Sequence, residues 1–139
     1  MLLLKLGLLI IVISLDTNIV LRYFLDDIPE QSTKSKVAIA GSAVYVTDVV
    51  LTEIIFVLEK VIEMERSDIV RLVRTFLSLP NLIYNDYFLD QAIDLYGVCK
   101  SLSFVDCYAA TEAKVYNNSL VTFDQQLIKH GGRHVTQPS

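Results

Sequence analysis

The sequence predicts an α/β fold: a three-layer α/β/α sandwich around a central parallel sheet. Short apolar runs rich in β-branched residues alternate with segments of helical periodicity along the chain, the pattern of parallel strands joined by helical crossovers. These runs are apolar at consecutive positions, as strands covered on both faces require. With 139 residues, 53% of them apolar, the chain has enough material for one buried core and reads as a single domain over 1–139. No internal repeat, low-complexity tract or linker interrupts it.

The first strand is expected at 8–15, ending at Asp16-Thr17-Asn18, a composition suited to capping the helical run 19–25. Asp26, Asp27 and Pro29 break that helix, and a more polar one is expected over 30–40, stopping at Gly41. A short strand at 44–47 leads to Asp48, expected to cap a helix whose inward stripe is Val50, Ile54, Val57, Leu58 and Val61. Ser67 and Val70 open another helix, with Ile69, Leu72, Val73, Phe76 and Leu77 inside, ending before Pro80.

The third strand is expected at 81–85 and a helix at 86–100, burying Phe88, Leu89, Ala92, Ile93, Tyr96 and Val98. Ser103 caps a helix running to about residue 116, and Asn117-Asn118 turns the chain into a strand at 119–122. A short helix at 125–129, the pair Gly131-Gly132 and a last strand at 134–136 complete the expected order.

Residues 1–15 are almost wholly apolar, broken by Lys5 and Gly7. A bilayer span needs about 20 apolar residues, so no stable membrane span is expected. A secretory signal would have a small-x-small cleavage site, which is missing before Asp16; residues 1–7 are therefore read as an apolar extension ahead of the first strand. The net charge of −4 argues against a broadly basic nucleic-acid coat protein. It fits a small enzyme whose acids are neutralised locally by metal. Cys99 and Cys107 show no zinc-ligand spacing and are expected as free thiols of a cytoplasmic protein.

Four acids carry the chemistry. Asp16 and Asp124 follow the first and fourth strands, and in parallel sheets ligands collect beyond the strands' carboxyl ends. Each also has a plainer reading as a helix cap or turn residue. Glu53 and Asp106 are expected on apolar helix faces, Glu53 in line with Val50 and Val57, Asp106 with Leu102 and Ala110. An ionised carboxylate there needs a partner, a raised pKa or a metal. Glu59, Glu63, Asp94 and Glu112 are expected at solvated positions. Hard divalent cations relieve the repulsion among clustered carboxylates and activate water for attack on phosphorus.

The segments Ser14-Leu15-Asp16-Thr17-Asn18, Leu51-Thr52-Glu53, Ser103-Phe104-Val105-Asp106-Cys107-Tyr108-Ala109-Ala110 and Val121-Thr122-Phe123-Asp124 resemble, in this order, the motifs of the PIN-domain family. They are most similar to those of its VapC-like toxin ribonucleases. The resemblance covers nearly the whole chain from about residue 8, and only the ordered set is specific. It implies a PIN-like fold and a Mg²⁺- or Mn²⁺-dependent endoribonuclease acting on RNA, often homodimeric and inhibited by a cognate antitoxin. Asp16, Glu53, Asp106 and Asp124 then match the acidic quartet, with Asn18 and Thr122 as its polar supports. The long apolar lead and Cys107, where a smaller residue is usual, depart from the pattern.

Other readings stay open. A housekeeping RNA-processing nuclease would use the same quartet, and a catalytically silent interaction module could keep the fold. A phospho-accepting receiver domain would need paired acids after the first strand and a lysine after the fifth; a haloacid-dehalogenase-like phosphatase would need an acid where Asn18 stands. Arg22, Lys34, Lys36, Lys129 and Arg133 could form a basic rim for phosphates or be scattered solvated charges. The apolar residues over 57–73 could form core or a partner groove.

Overall fold

The structure, a computed structural model, describes residues 11–139. The apolar extension at 1–7 and the beginning of the predicted strand at 8–15 lie outside the described residues. The fold class is the predicted one, α/β with parallel strand pairs. The described chain divides into two compact units: the described part of Met1–Ile54 with Leu72–Tyr84, and Ile55–Arg71 with Asn85–Ser139.

In the first unit, β1 (Val12–Ser14), β2 (Ala43–Tyr45) and β3 (Leu82–Ile83) form a parallel sheet in that order. Its register sets Ile13 against Val44 and Tyr45 against Ile83. Helices α1 (Thr17–Leu25) and α2 (Pro29–Ala40) pack on each other between β1 and β2. Asp26 ends α1 in a left-handed conformation at φ 52°, and Pro29 starts α2 at a position that needs no N–H donor. The Asn81 amide donates to the carbonyls of Ile39 (2.6 Å) and Ser42 (2.7 Å), tying the end of α2 to β3. Val44 is fully buried in the middle of the sheet. The expectation that β1 is covered on both faces fails among the described residues: Ile13 is 40% exposed and Ser14 is also exposed.

Helix α3 (Asp48–Phe56) starts from Thr47, whose hydroxyl accepts the Val50 N–H at 3.1 Å, so Thr47 and not Asp48 supplies the cap. It runs into a π-helical turn, Val57–Val61, closed by Ile62 N–H to the Val57 carbonyl at 2.9 Å. A wider turn with i→i+5 bonding rotates every later side chain away from its α-helical bearing. That explains two departures from the predicted wheel: Val61 is 65% exposed, and Glu59 is turned toward Arg66 instead of water.

The second unit contains α5 (Leu89–Val98) packed on α6 (Phe104–Tyr116), and a two-stranded parallel sheet of β4 (Leu120–Val121) and β5 (Val135–Thr136) with α7 (Gln125–His130) between them. Helix α4 (Arg66–Leu77) begins here, at Arg66 and not at Ser67 as predicted, and its later residues belong to the first unit. Helix α5 is shorter than predicted because 86–88 form a turn, and Val98, its last residue, is 80% exposed. The core here is aromatic: Tyr96 meets Phe104 edge-on at 5.7 Å, and Phe88 meets Tyr108 at 5.0 Å. Such pairs add about 0.5–1.5 kcal/mol each beyond area burial.

Arg66 organises this unit. One guanidinium nitrogen pairs with Glu59 at 2.6 Å, both side chains being under 20% exposed. The other nitrogen donates to the carbonyls of Tyr96 (3.1 Å), Cys99 (2.9 Å) and Leu102 (2.8 Å), and the group lies 4.0 Å over the Tyr96 ring. Those carbonyls belong to the end of α5 and the link to α6, where the Cys99 carbonyl also accepts the Leu102 N–H at 3.1 Å and the cation serves the acceptors past the last helical bonds. No helix of the described residues is long and apolar enough to cross a membrane.

Arg66→Ala strands the partly buried Glu59 charge and the carbonyls of Tyr96 and Leu102, so it should cost about 3–5 kcal/mol of unfolding free energy by urea titration. Arg66→Lys, lacking the planar fork, should recover only part of it. Burial raises the Cys107 thiol from 9.0 to about 12, and burial together with the Glu59 charge raises Tyr96 from 10.0 to about 12. Both groups stay neutral in the folded protein, so the stability they contribute is intact below pH 9 and falls as pH rises toward 12. Melting temperature should therefore decline above about pH 9, and Cys107 should resist alkylation at pH 8 until the protein unfolds. Rapid native labelling of Cys107 would contradict this.

Candidate active site

Asp16 follows the carboxyl end of β1 and occupies the N-cap position of α1, but its side chain makes no capping hydrogen bond. Its carboxylate is exposed and is not used up by the helix terminus, which removes the plainer reading of this residue as a cap. Asn18 is exposed in the first turn of the same helix. Thr17, 8% exposed, donates its hydroxyl to Glu53 Oε2 at 2.6 Å. That bond brings the start of α1, with Asp16 next to it, to the middle of α3.

Glu53 is exposed and not on a buried apolar face as predicted. The buried residues of this stretch are Leu51, Ile54, Ile55 and Leu58, a face at i, i+3, i+4, i+7 from which position 53 points away. Helix α3 reads Asp-Val-Val-Leu-Thr-Glu-Ile-Ile-Phe, apolar on nearly every side, so periodicity had no basis for choosing which side is buried.

Asp106 is half-buried, and its surroundings explain it locally. It is the third residue of α6 in a capping box: the Ser103 hydroxyl accepts the Asp106 N–H at 3.1 Å, and Asp106 Oδ2 accepts the Ser103 N–H at 3.2 Å. Asp124 caps α7, its Oδ1 accepting the N–H groups of Gln126 (2.9 Å) and Leu127 (3.1 Å). Thr122 reaches the backbone rather than the carboxylate of Asp124, accepting its N–H at 3.0 Å and shaping the turn after β4.

A common property follows from these contacts. Among the described residues, hydrogen bonds engage only one oxygen of Glu53 (Oε2), Asp106 (Oδ2) and Asp124 (Oδ1), and none of the four acids is ion-paired. Glu53, Asp106 and Asp124 are thus oriented by the fold while keeping an oxygen available, and Asp16 is placed by its backbone position alone. Hard oxygen donors without a neutralising cation suit Mg²⁺ or Mn²⁺ better than soft metals. Asp16 and Glu53 belong to the first unit, Asp106 and Asp124 to the second. Among the described residues no three His, Cys, Asp or Glu side chains stand together as a group that could hold a metal ion.

The predicted basic rim divides. Arg22 pairs with Asp27, Lys34 with Glu30 and Lys36 with Asp26, so these three are committed to neighbouring acids. Lys129 and Arg133 are exposed without an ion pair among the described residues. Sequence reasoning missed Thr17, whose role depends on a partner 36 residues away. It also missed the Glu59–Arg66 pair, because the π turn hides Glu59 from any wheel of 3.6 residues per turn.

The chain matches the family model described as PIN domain over residues 13–132. No curated protein and no solved structure matches the chain.

Ser103→Ala removes one half of the capping box and should cost about 1 kcal/mol of stability in a denaturant titration. Thr17→Val, near-isosteric but without the donor, should cost about 1–2 kcal/mol, with Thr17→Ser largely retaining the bond. Equal stability of Thr17→Val and wild type would show that the 2.6 Å contact is not formed in solution.

Proposed function

Because the chain belongs to the PIN domain family, we propose that it hydrolyses RNA phosphodiester bonds as a Mg²⁺- or Mn²⁺-dependent endoribonuclease. PIN domains are in general nucleases and typically use divalent metal ions. The observation that best supports the finer reading is the state of the four motif acids, each with an uncommitted oxygen and none paired to a cation.

In this reading Asp16, Glu53, Asp106 and Asp124 hold the ion, directly or through water. When bound, the ion neutralises charge on the phosphoryl group and lowers the pKa of water toward neutrality. The chain's own residues supply orientation. Thr17 holds Glu53 by Oε2 and leaves Oε1 to accept a proton from, and aim, the attacking water. The capping bonds of Asp106 and Asp124 restrict their rotamers before any ligand arrives, so little ordering remains to be done on binding. Thr122 fixes the turn that presents Asp124, and Asn18 stands beside the site as a further polar support. The motif segments resemble those of VapC-like toxins, and on that resemblance the proposed setting is a toxin acting on cellular RNA. Its partners are then a cognate antitoxin and a second copy of the chain, and 1–139 acts as one domain.

Asp16→Asn and Asp106→Asn test the activity cleanly: each removes the charge, the amide oxygen introduced at position 106 can still accept the capping hydrogen bond, and Asp16 makes none to lose. Each should lower RNA cleavage in Mn²⁺ by about a hundredfold or more, with unchanged thermal stability, and chelator should abolish cleavage by the wild type. Undiminished cleavage in chelator, or by either variant, would sink the proposal.

A further inference from the structure

The second unit contains a concave site that the proposed chemistry does not use. It has a volume of about 550 Å³, within the range of small-ligand pockets. Lys114, His130, Arg133 and His134 line it together with the hydrogen-bonding side chains of Thr111 and Asn117, and no acid lines it. Lys114 and Arg133 are in no ion pair among the described residues, unlike Arg22, Lys34, Lys36, Arg66 and Arg71. Lys114 and His130 sit in the last turns of α6 and α7, where helix carbonyl ends favour cations, so the positive charge is held here without a carboxylate.

The loop carrying Arg133 and His134 is built for close approach. A Cβ on Gly131 would lie 2.5 Å from the Leu127 carbonyl oxygen and 2.7 Å from a Val135 methyl, and Gly132 has φ +94°. Only glycine meets both demands. His134 Nδ1 lies 3.2 Å from the Asn118 carbonyl. A carbonyl only accepts, so Nδ1 carries the proton there and the bond orients the ring at the edge of the cleft. The site is also separate from the motif acids of this unit. Lys114 is eight residues after Asp106 on α6, about 12 Å along the helix axis, and Asn118 precedes β4 whereas Asp124 follows it.

From these observations we propose that the cleft binds the phosphate group of a nucleotide, either free or within an RNA strand. Lys114 and Arg133 supply the charge, Arg133 with two parallel donors that match phosphate oxygens. Thr111 and Asn117 contribute neutral hydrogen bonds. The site stands whether or not the chain cleaves RNA.

The chain's only two histidines, His130 and His134, both line the cleft, so histidine ring signals in NMR report on it directly. The full chain is titrated in EDTA, which keeps RNA intact, with inorganic phosphate, adenosine monophosphate and a short single-stranded RNA. Saturable shifts of both ring signals are expected, with affinity at least tenfold weaker in the Lys114→Ala/Arg133→Ala double variant. Lys60→Ala, which removes an exposed charge outside the cleft, is the control and should bind as the wild type does. Shifts with phosphate and the mononucleotide identify a free-nucleotide site, and shifts with RNA alone identify a strand contact. Ring signals unmoved by all three probes, or weakening by Lys60→Ala equal to that of the double variant, would overturn the proposal.

Discussion

The second unit depends on the guanidinium of Arg66. It neutralises a carboxylate brought inward by a π turn, satisfies three carbonyls at the α5–α6 link and covers the face of Tyr96. A lysine could replace the charge but not the geometry, because only the planar fork serves carboxylate, carbonyls and ring together. The consequences reach the motif acids. Leu102, whose carbonyl Arg66 holds, immediately precedes Ser103, the residue that closes the capping box with Asp106. A buried ion pair of this kind adds little net stability, and its value here is conformational: it sets where α6 begins.

A second economy runs through the motif acids. Asp106 and Asp124 are both helix-terminal residues and site candidates, and each gives one oxygen to backbone N–H groups while the other stays available. Glu53 is held in the same way by Thr17. Capping and ligation are therefore compatible uses of one carboxylate, and the plain reading of an acid as a cap does not compete with the functional one. The cations are sorted too. Those near α1 and α2 are tied to Asp26, Asp27 and Glu30, whereas Lys114 and Arg133 face a cleft without acids.

Much of this was legible in the chain because local signals agreed with one another. The Ser103 cap, the Asn117-Asn118 turn, the turn at Asp124 and the Gly131-Gly132 pair are short-range patterns whose physics is complete within a few residues, whereas the reciprocal bond from Asp106 back to Ser103 was missed because Asp106 was placed on an apolar face. The family was legible for the same reason, since its motifs sit at the ends of such elements. Glu53 was misplaced because α3 is apolar on nearly every side, and an apolar cylinder carries no information about which face is buried. Glu59 and Val61 were misplaced because five residues adopt π geometry, which no 3.6-residue wheel anticipates.

By itself, then, the sequence determined the α/β class, the order of the elements and the family, all of which rest on local backbone chemistry and composition. Only the tertiary structure decided which oxygen of each acid is committed, that Thr17 supports Glu53, that Arg66 holds Glu59, and that Lys114 and Arg133 share a cleft with two histidines. The Thr17–Glu53 bond joins residues 36 apart in the chain, and the cleft collects residues of α6, α7 and the loop after it. Hydrogen bonds and ion pairs depend on separations of a few ångströms, and residue spacing along a sequence does not specify them.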